Sequence, residues 1–137
     1  MLKLGIDDAG RGPVIGSMIL AGCLIDEQSE RELRKIGVKD SKDLTQKRRE
    51  FLEQKIKQIA KTFETVKATP EEIDSSLESG VNLNEVEAIM ASEIINKINN
   101  SGEKIKVIID CPSVSISKWT NLLKMKIKNL SNLEVVC

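Results

Sequence analysis

A chain of 137 residues has the length of one domain, and its 21 basic and 21 acidic side chains cancel, which excludes a global field drawing it to nucleic acid or membrane and leaves any polyanion binding to a local patch. Histidine and tyrosine are both missing, so imidazole acid–base chemistry, histidine metal ligation and a phenol anchor are excluded, and any chemistry must run on carboxylates, lysines, arginines and metal. Cys23, Cys111 and Cys137 are odd in number, widely spaced and without a C-x-x-C pair, which argues against a disulfide framework or zinc site; with no apolar run of about 18 residues, the expectation is a soluble, cytoplasmic protein.

In chain order, "LKLGID" reads as a short apolar strand and "PVIGSMILAGCLI" as one buried on both faces, joined through the glycine-bearing turn A-G-R-G-P. "EQSERELRKIG" carries Leu33 and Ile36 among charges and stops on Gly37, the pattern of a short surface helix. A longer helix follows in "LTQKRREFLEQKIKQIAK", with Thr45 as its cap and Phe51, Leu52, Ile56 and Ile59 near helical spacing. "TFETVKA" alternates as a third strand and runs into a short helix capped by Thr69, with Pro70 in its first turn and Glu72 closing a capping box. "NLNEVEAIMASEIINKINNSG" is the clearest helix, boxed by Asn82 and Glu85, with apolar Val86, Ile89, Met90, Ile94 and Ile98 and a glycine stop at Gly102. "KIKVIIDCP" is a β-branched strand ending at Asp110 and Pro112; "SISKWTNLLKMKIKN" is a helix and "LEVVC" a last strand. An opening hairpin followed by β-α-β alternation implies an α/β domain with a mixed sheet and helices on its faces. Ending on a sheet strand leaves that strand without the element that usually covers it, so either the protein is expected to continue or the last residues pair at an exposed edge, and residues 1–137 are expected to form one domain.

Asp7 and Asp8 close the first strand and Asp110 closes "VIID", and in a sheet with parallel neighbours such carboxyl ends converge on a ligand. Two carboxylates about 4 Å apart repel by about 4 kcal/mol at an effective dielectric of 20, a cost that a divalent cation reverses. All-oxygen ligation favours Mg2+ or Mn2+ over zinc. The same pair also suits a solvated turn with an Asx hydrogen bond, and strand alternation sends Asp7 and Asp8 to opposite faces unless the chain kinks at the following glycines. Gly10-Arg11-Gly12 reads either as a plain turn or as bared backbone N–H groups for sugar and phosphate oxygens. "VKDSKDLT" brings Lys39, Ser41 and Lys42 into a loop before a helix, either solvated or phosphate-binding. Lys47, Arg48 and Arg49 crowd a helix first turn, where the macrodipole disfavours cations; this fits a solvated face or an anionic partner. The Lys124, Lys126 and Lys128 run reads as a solvated helix face, and Trp119 as core.

Together, "GIDDAGRGPVIGSM", "GVKDSKDLT" and "VIIDCP", in this order, resemble type 2 ribonuclease H, ribonuclease HII, particularly its archaeal branch, over essentially the whole chain. The resemblance implies the ribonuclease H-like fold, a five-stranded mixed sheet with flanking helices, with the C-terminal helical part missing. It implies a Mg2+- or Mn2+-dependent endoribonuclease acting on RNA–DNA hybrids and on single ribonucleotides in duplex DNA. Two metals about 4 Å apart would activate water and stabilise the leaving oxygen, giving 5′-phosphate and 3′-hydroxyl ends. Asp7 and Asp110 match metal-ligating, catalytic carboxylates, with Asp8 at the position of a third. Gly10, Arg11 and Gly12 match the loop that contacts the ribose 2′-hydroxyl, and Ser41 and Lys42 the loop near the scissile phosphate. A complete protein of this kind is expected to be a monomer with no membrane partner.

This sequence departs from the family pattern in three places. Glutamate stands in the family where Asp8 stands here, and a carboxylate retracted by about 1 Å exceeds the roughly 0.5 Å tolerance of a catalytic constellation. The family's fourth aspartate, in an "HKAD"-like segment, and a tyrosine further downstream both lie past Cys137. The alternatives are therefore a non-catalytic or incomplete fragment that binds hybrid or needs a complementary segment, and another two-metal nuclease or transferase of the same superfamily.

Overall fold

The computed structural model describes residues 1–8, 17–37, 45–111 and 115–137. In chain order these form β1 (Leu2–Asp8), β2 (Met18–Ile25), α1 (Glu27–Ile36), α2 (Gln46–Ile59), β3 (Thr62–Ala68), α3 (Pro70–Glu78), α4 (Leu83–Ile98), β4 (Ile105–Ile109), α5 (Ile116–Met125) and β5 (Leu133–Val136). The element order matches the one expected from periodicity and capping. The A-G-R-G-P turn and the first residues of the expected second strand lie outside the described residues.

Side-chain caps start four of the helices as their sequences suggest. Asp26, Thr45, Thr69 and Asn82 accept from the N–H groups of Ser29, Arg48, Glu72 and Glu85, satisfying donors that a first turn leaves open. Gly37 ends α1 in the left-handed region at φ 85°, where its N–H reaches the carbonyls of Leu33 and Arg34. The α4 helix stops earlier than the glycine signal predicts: Asn99 is its C-cap, and Gly102 (φ 76°) sits in the following turn.

One five-stranded sheet has the order β3-β2-β1-β4-β5. β1 pairs antiparallel with β2 and parallel with β4, while β2–β3 is antiparallel and β4–β5 parallel. Leu4, Ile6, Leu20, Leu24, Val107 and Ile109 face one way, and α4 lies across them with Ala91, Ile94 and Ile95 fully buried. Burying such side chains is the main favourable term available to a domain of this size, about 1.5–3 kcal/mol each relative to exposure. α5 packs on α4, and its Trp119 indole N–H donates to the Asn84 carbonyl at 2.9 Å.

An amide network fastens the C-terminal end of α4 to the segment leading into β5. Asn132 donates to the Asn99 side chain at 2.6 Å and to the Glu103 carbonyl at 2.7 Å, and Asn99 donates to the Asn129 carbonyl at 2.9 Å. Asn96 both accepts from the Lys128 N–H and donates to the Lys126 carbonyl. Loop backbone is thereby satisfied by side chains where no ladder reaches it.

The cysteines overturn the reading drawn from their spacing. Cys111 and Cys137 are disulfide-bonded, with Cα atoms 5.4 Å apart across a separation of 26 residues. The parallel β4–β5 ladder carries both to the same edge of the sheet, a proximity that linear spacing cannot show. Cys23 is free, and burial pushes its thiol up. No helix among the described residues is long and apolar enough to cross a membrane.

Gly22 is the point at which α4 presses closest to the sheet: a Cβ there would collide with Ile94 Cγ2 and touch Leu4 Cδ1 at 3.5 Å. Alanine normally improves on glycine in a strand by about 0.5–1 kcal/mol, but here overpacking against a fully buried isoleucine wins. Gly22→Ala is expected to lower stability by about 1–3 kcal/mol in urea unfolding, and Gly22→Ala with Ile94→Val to recover part of that loss. An unchanged midpoint in the single variant would show that α4 does not bear on Gly22.

Candidate active-site cleft

Alternation along β1 decides where its carboxylates go. Leu2, Leu4 and Ile6 are buried on the α4 face, so Asp8 continues that face and Asp7 takes the other. Asp8 is still within the ladder, paired with Leu20, and Asp7 with Ala21. The kink that would turn both to one side is therefore not present up to Asp8. Across the parallel ladder, Ile6 stands beside Ile109, so one step further Asp7 and Asp110 stand beside each other on neighbouring strand ends. The Asp7 carboxylate accepts the N–H of the adjacent Asp8 at 2.8 Å.

A cleft of about 180 Å³ opens at this end of the sheet, with Ile6, Leu20, Ile109 and Trp119 as its apolar lining and Asp7, Asp8, Asp110 and Glu87 as its carboxylates. It lies at the carboxyl ends of the two parallel central strands, where ligands gather in open α/β sheets. Glu87 is a functional candidate that the sequence reading missed. It belongs to the α4 stripe that continues through Ala91, Ile94 and Ile98, and an acid on an otherwise buried stripe is the signal that could have found it.

Burial first, and the charge of Asp8 second, push the Glu87 carboxyl above the ordinary glutamate range. Among the described residues no three acidic or thiol side chains draw together tightly enough to cage a metal. Asp8 lies on the Glu87 side of the strand while Asp7 and Asp110 lie at the rim.

Of the other candidates, Gly10, Arg11, Gly12, Lys39, Ser41 and Lys42 lie outside the described residues, as does the Arg49 side chain. Arg48 has structural employment: it donates to the Ile36 carbonyl at 2.8 Å and its guanidinium lies 5.0 Å from the Phe51 ring centre. That contact at the end of α1 accounts for a cation in the first turn of α2 without an anionic partner. Lys126 approaches Glu85 at 3.8 Å, and Lys124 is exposed, in keeping with a solvated face. Trp119 is buried, as expected, yet its ring also forms part of the cleft wall.

The fold is shared with solved ribonucleases H of type 2. The ribonuclease H2 of Pyrococcus horikoshii superimposes with a TM-score of 0.77 at 36% identity, over 98% of this chain and 62% of that one. The ribonuclease HII of Archaeoglobus fulgidus, solved in complex with PCNA, gives 0.79 at 32% identity, over 99% and 62%. The sequence pattern of the ribonuclease HII family matches residues 4–136, and the ribonuclease HII of Methanothermobacter thermautotrophicus is 50% identical over 114 residues, 83% of this chain. The chain therefore belongs to the ribonuclease HII family and has its ribonuclease H-like fold. It spans about half the length of its curated relatives, 53% in the Methanothermobacter case.

The raised proton affinity of Glu87 has a definite sign. Between the unfolded and folded pKa values the folded chain binds more protons than the unfolded chain, so stability falls as pH rises through that window and the cost persists above it. Glu87→Gln removes the ionisable group and should raise the urea midpoint at neutral pH while leaving it nearly unchanged at pH about 4, near the ordinary glutamate pKa. A lower midpoint at neutral pH would mean that the Glu87 charge is compensated in the fold.

Proposed function

We propose that this chain carries the catalytic cleft of a divalent-metal-dependent endoribonuclease that cuts the RNA strand of RNA–DNA hybrids and single ribonucleotides embedded in duplex DNA, in the cytoplasm, leaving 5′-phosphate and 3′-hydroxyl ends. The observation that carries this reading is the parallel β1–β4 register, which sets Asp7 and Asp110 side by side on one cleft of a ribonuclease HII fold. The donor set supports a hard cation: four carboxylates, no imidazole, and a glutamate whose proton affinity is raised first by burial and then by Asp8. Asp7, Asp8 and Asp110 are assigned to Mg2+ or Mn2+ on the strength of the family motif, although the described side chains do not by themselves close a cage around a metal; the cation would supply Lewis-acid stabilisation of phosphoryl oxygens and a more acidic bound water.

The chain's own contributions follow from the geometry. The Asp8 N–H donates to one Asp7 carboxylate oxygen at 2.8 Å, which restrains that side chain. Ile6, Leu20, Ile109 and Trp119 keep the floor apolar, which strengthens every charge interaction at the rim. Gly10, Arg11 and Gly12 are assigned to the ribose 2′-hydroxyl, and Ser41 and Lys42 to the neighbouring phosphates, on the strength of the family motif. A second reading has its own support. The face separation of Asp7 and Asp8, and the open spacing of the described carboxylates, favour a chain that binds metal and hybrid weakly and needs a complementary segment for cutting.

Incubating a labelled duplex with one ribonucleotide in Mn2+, beside an all-DNA duplex, separates the two. The enzymatic reading expects cleavage at the ribonucleotide only, reduced about a hundredfold or more in Asp7→Asn and Asp110→Asn. Mn2+ binding without cleavage would support the second reading, and unchanged Mn2+ titrations in both variants would sink the metal assignment of either.

A further inference from the structure

The disulfide sits where three pieces of the cleft wall meet. Cys111 directly follows Asp110, and Cys137 directly follows β5. The ring closed by the bond contains all of α5, whose Trp119 lines the cleft, and the next residue, Thr120, meets the Cys137 sulfur at 3.2 Å. Ile109, Asp110 and Trp119 are therefore all within two residues of the bond or of its contact. As residues, Cys137 is exposed and Cys111 is half-buried against the core. Cys23, on β2 and partly buried, stands outside this arrangement. A bond with one exposed sulfur is open to thiol attack, whereas a buried one is protected.

We propose that Cys111–Cys137 is a reversible redox clamp that sets how firmly the Asp110 end of β4 is held. In the oxidised state β4, β5 and the first turns of α5 are tied at one point, and the Asp110 carboxylate is held at the cleft rim. In the reduced state the backbone after Ile109 keeps only its ladder and packing, and Asp110 samples more positions. The exchange is balanced with a small-molecule disulfide such as oxidised glutathione. The two protein thiols lose two electrons and two protons, one protein S–S bond forms, the small disulfide's S–S bond breaks, and two small thiols leave. In the reverse direction a small thiolate attacks the Cys137 sulfur and Cys111 departs as thiolate, to be protonated; a second small thiol then releases Cys137. The consequence for cation affinity rests on the metal reading above, but the clamp itself does not.

The test compares the oxidised chain, the dithiothreitol-reduced chain and Cys137→Ser by hydrogen exchange and by Mn2+ titration followed by electron paramagnetic resonance. Amides of residues 109–111 and 116–120 should exchange about tenfold more slowly in the oxidised chain, with Cys137→Ser matching the reduced chain. Mn2+ should bind several-fold more tightly to the oxidised chain, because a held ligand loses less freedom on binding. Equal exchange in oxidised and reduced chains overturns the clamp, as does a chain that keeps three free thiols at every glutathione ratio. Equal Mn2+ affinities in two chains that both bind the ion also overturn it. An exchange contrast without Mn2+ binding in either state supports the clamp and removes the metal reading instead.

Discussion

The parallel ladder between β1 and β4 at the centre of the sheet is what the rest of this structure depends on. Parallel strands cannot be joined by a tight turn, so the chain must leave the sheet and return. Between them it lays down β2, α1, α2, β3, α3 and α4. Helix α4 closes that excursion over the α4-facing side of the sheet, and it approaches so closely that the strand beneath must be a glycine at residue 22. The same ladder ends with two aspartates side by side. Fold and cleft are thus two consequences of one pairing.

Acidic side chains are gathered at that end by the topology rather than by composition. The chain as a whole is neutral, yet the ladder and α4 bring four carboxylates to one small cleft. Glu87 has a raised proton affinity, caused first by burial and then by the charge of Asp8. Surface cations are engaged elsewhere: Lys3 with Glu30, Arg34 with Glu30, Arg48 with the end of α1.

Elements were the most legible feature of the sequence, because each is written locally. Thr69-Pro70 with Glu72, and Asn82 with Glu85, announce their helices through hydrogen bonds reaching three residues, and the structure contains those bonds. β3 was legible from alternation alone. The α4 boundary was less so: its end is set by Asn99 bonded to the β5 approach, about thirty residues away in sequence, and not by the nearby glycine. Glu87 was passed over because a single acid within a helix looks like any solvated charge until the sheet beneath the helix is known.

By itself the sequence determined the family, through its three ordered motifs, and determined which residue types could do chemistry, since a chain without histidine or tyrosine leaves only carboxylates for a cation. It also determined the helix starts and the strand alternation. Tertiary structure alone decided which carboxylates meet: that Asp7 stands by Asp110 while Asp8 turns toward Glu87, and that Cys111 and Cys137 are close enough to bond. The physical reason is range. Caps and periodicity act over a few residues of backbone, whereas these encounters are set by strand register and by the helix packed across it, which no local pattern encodes.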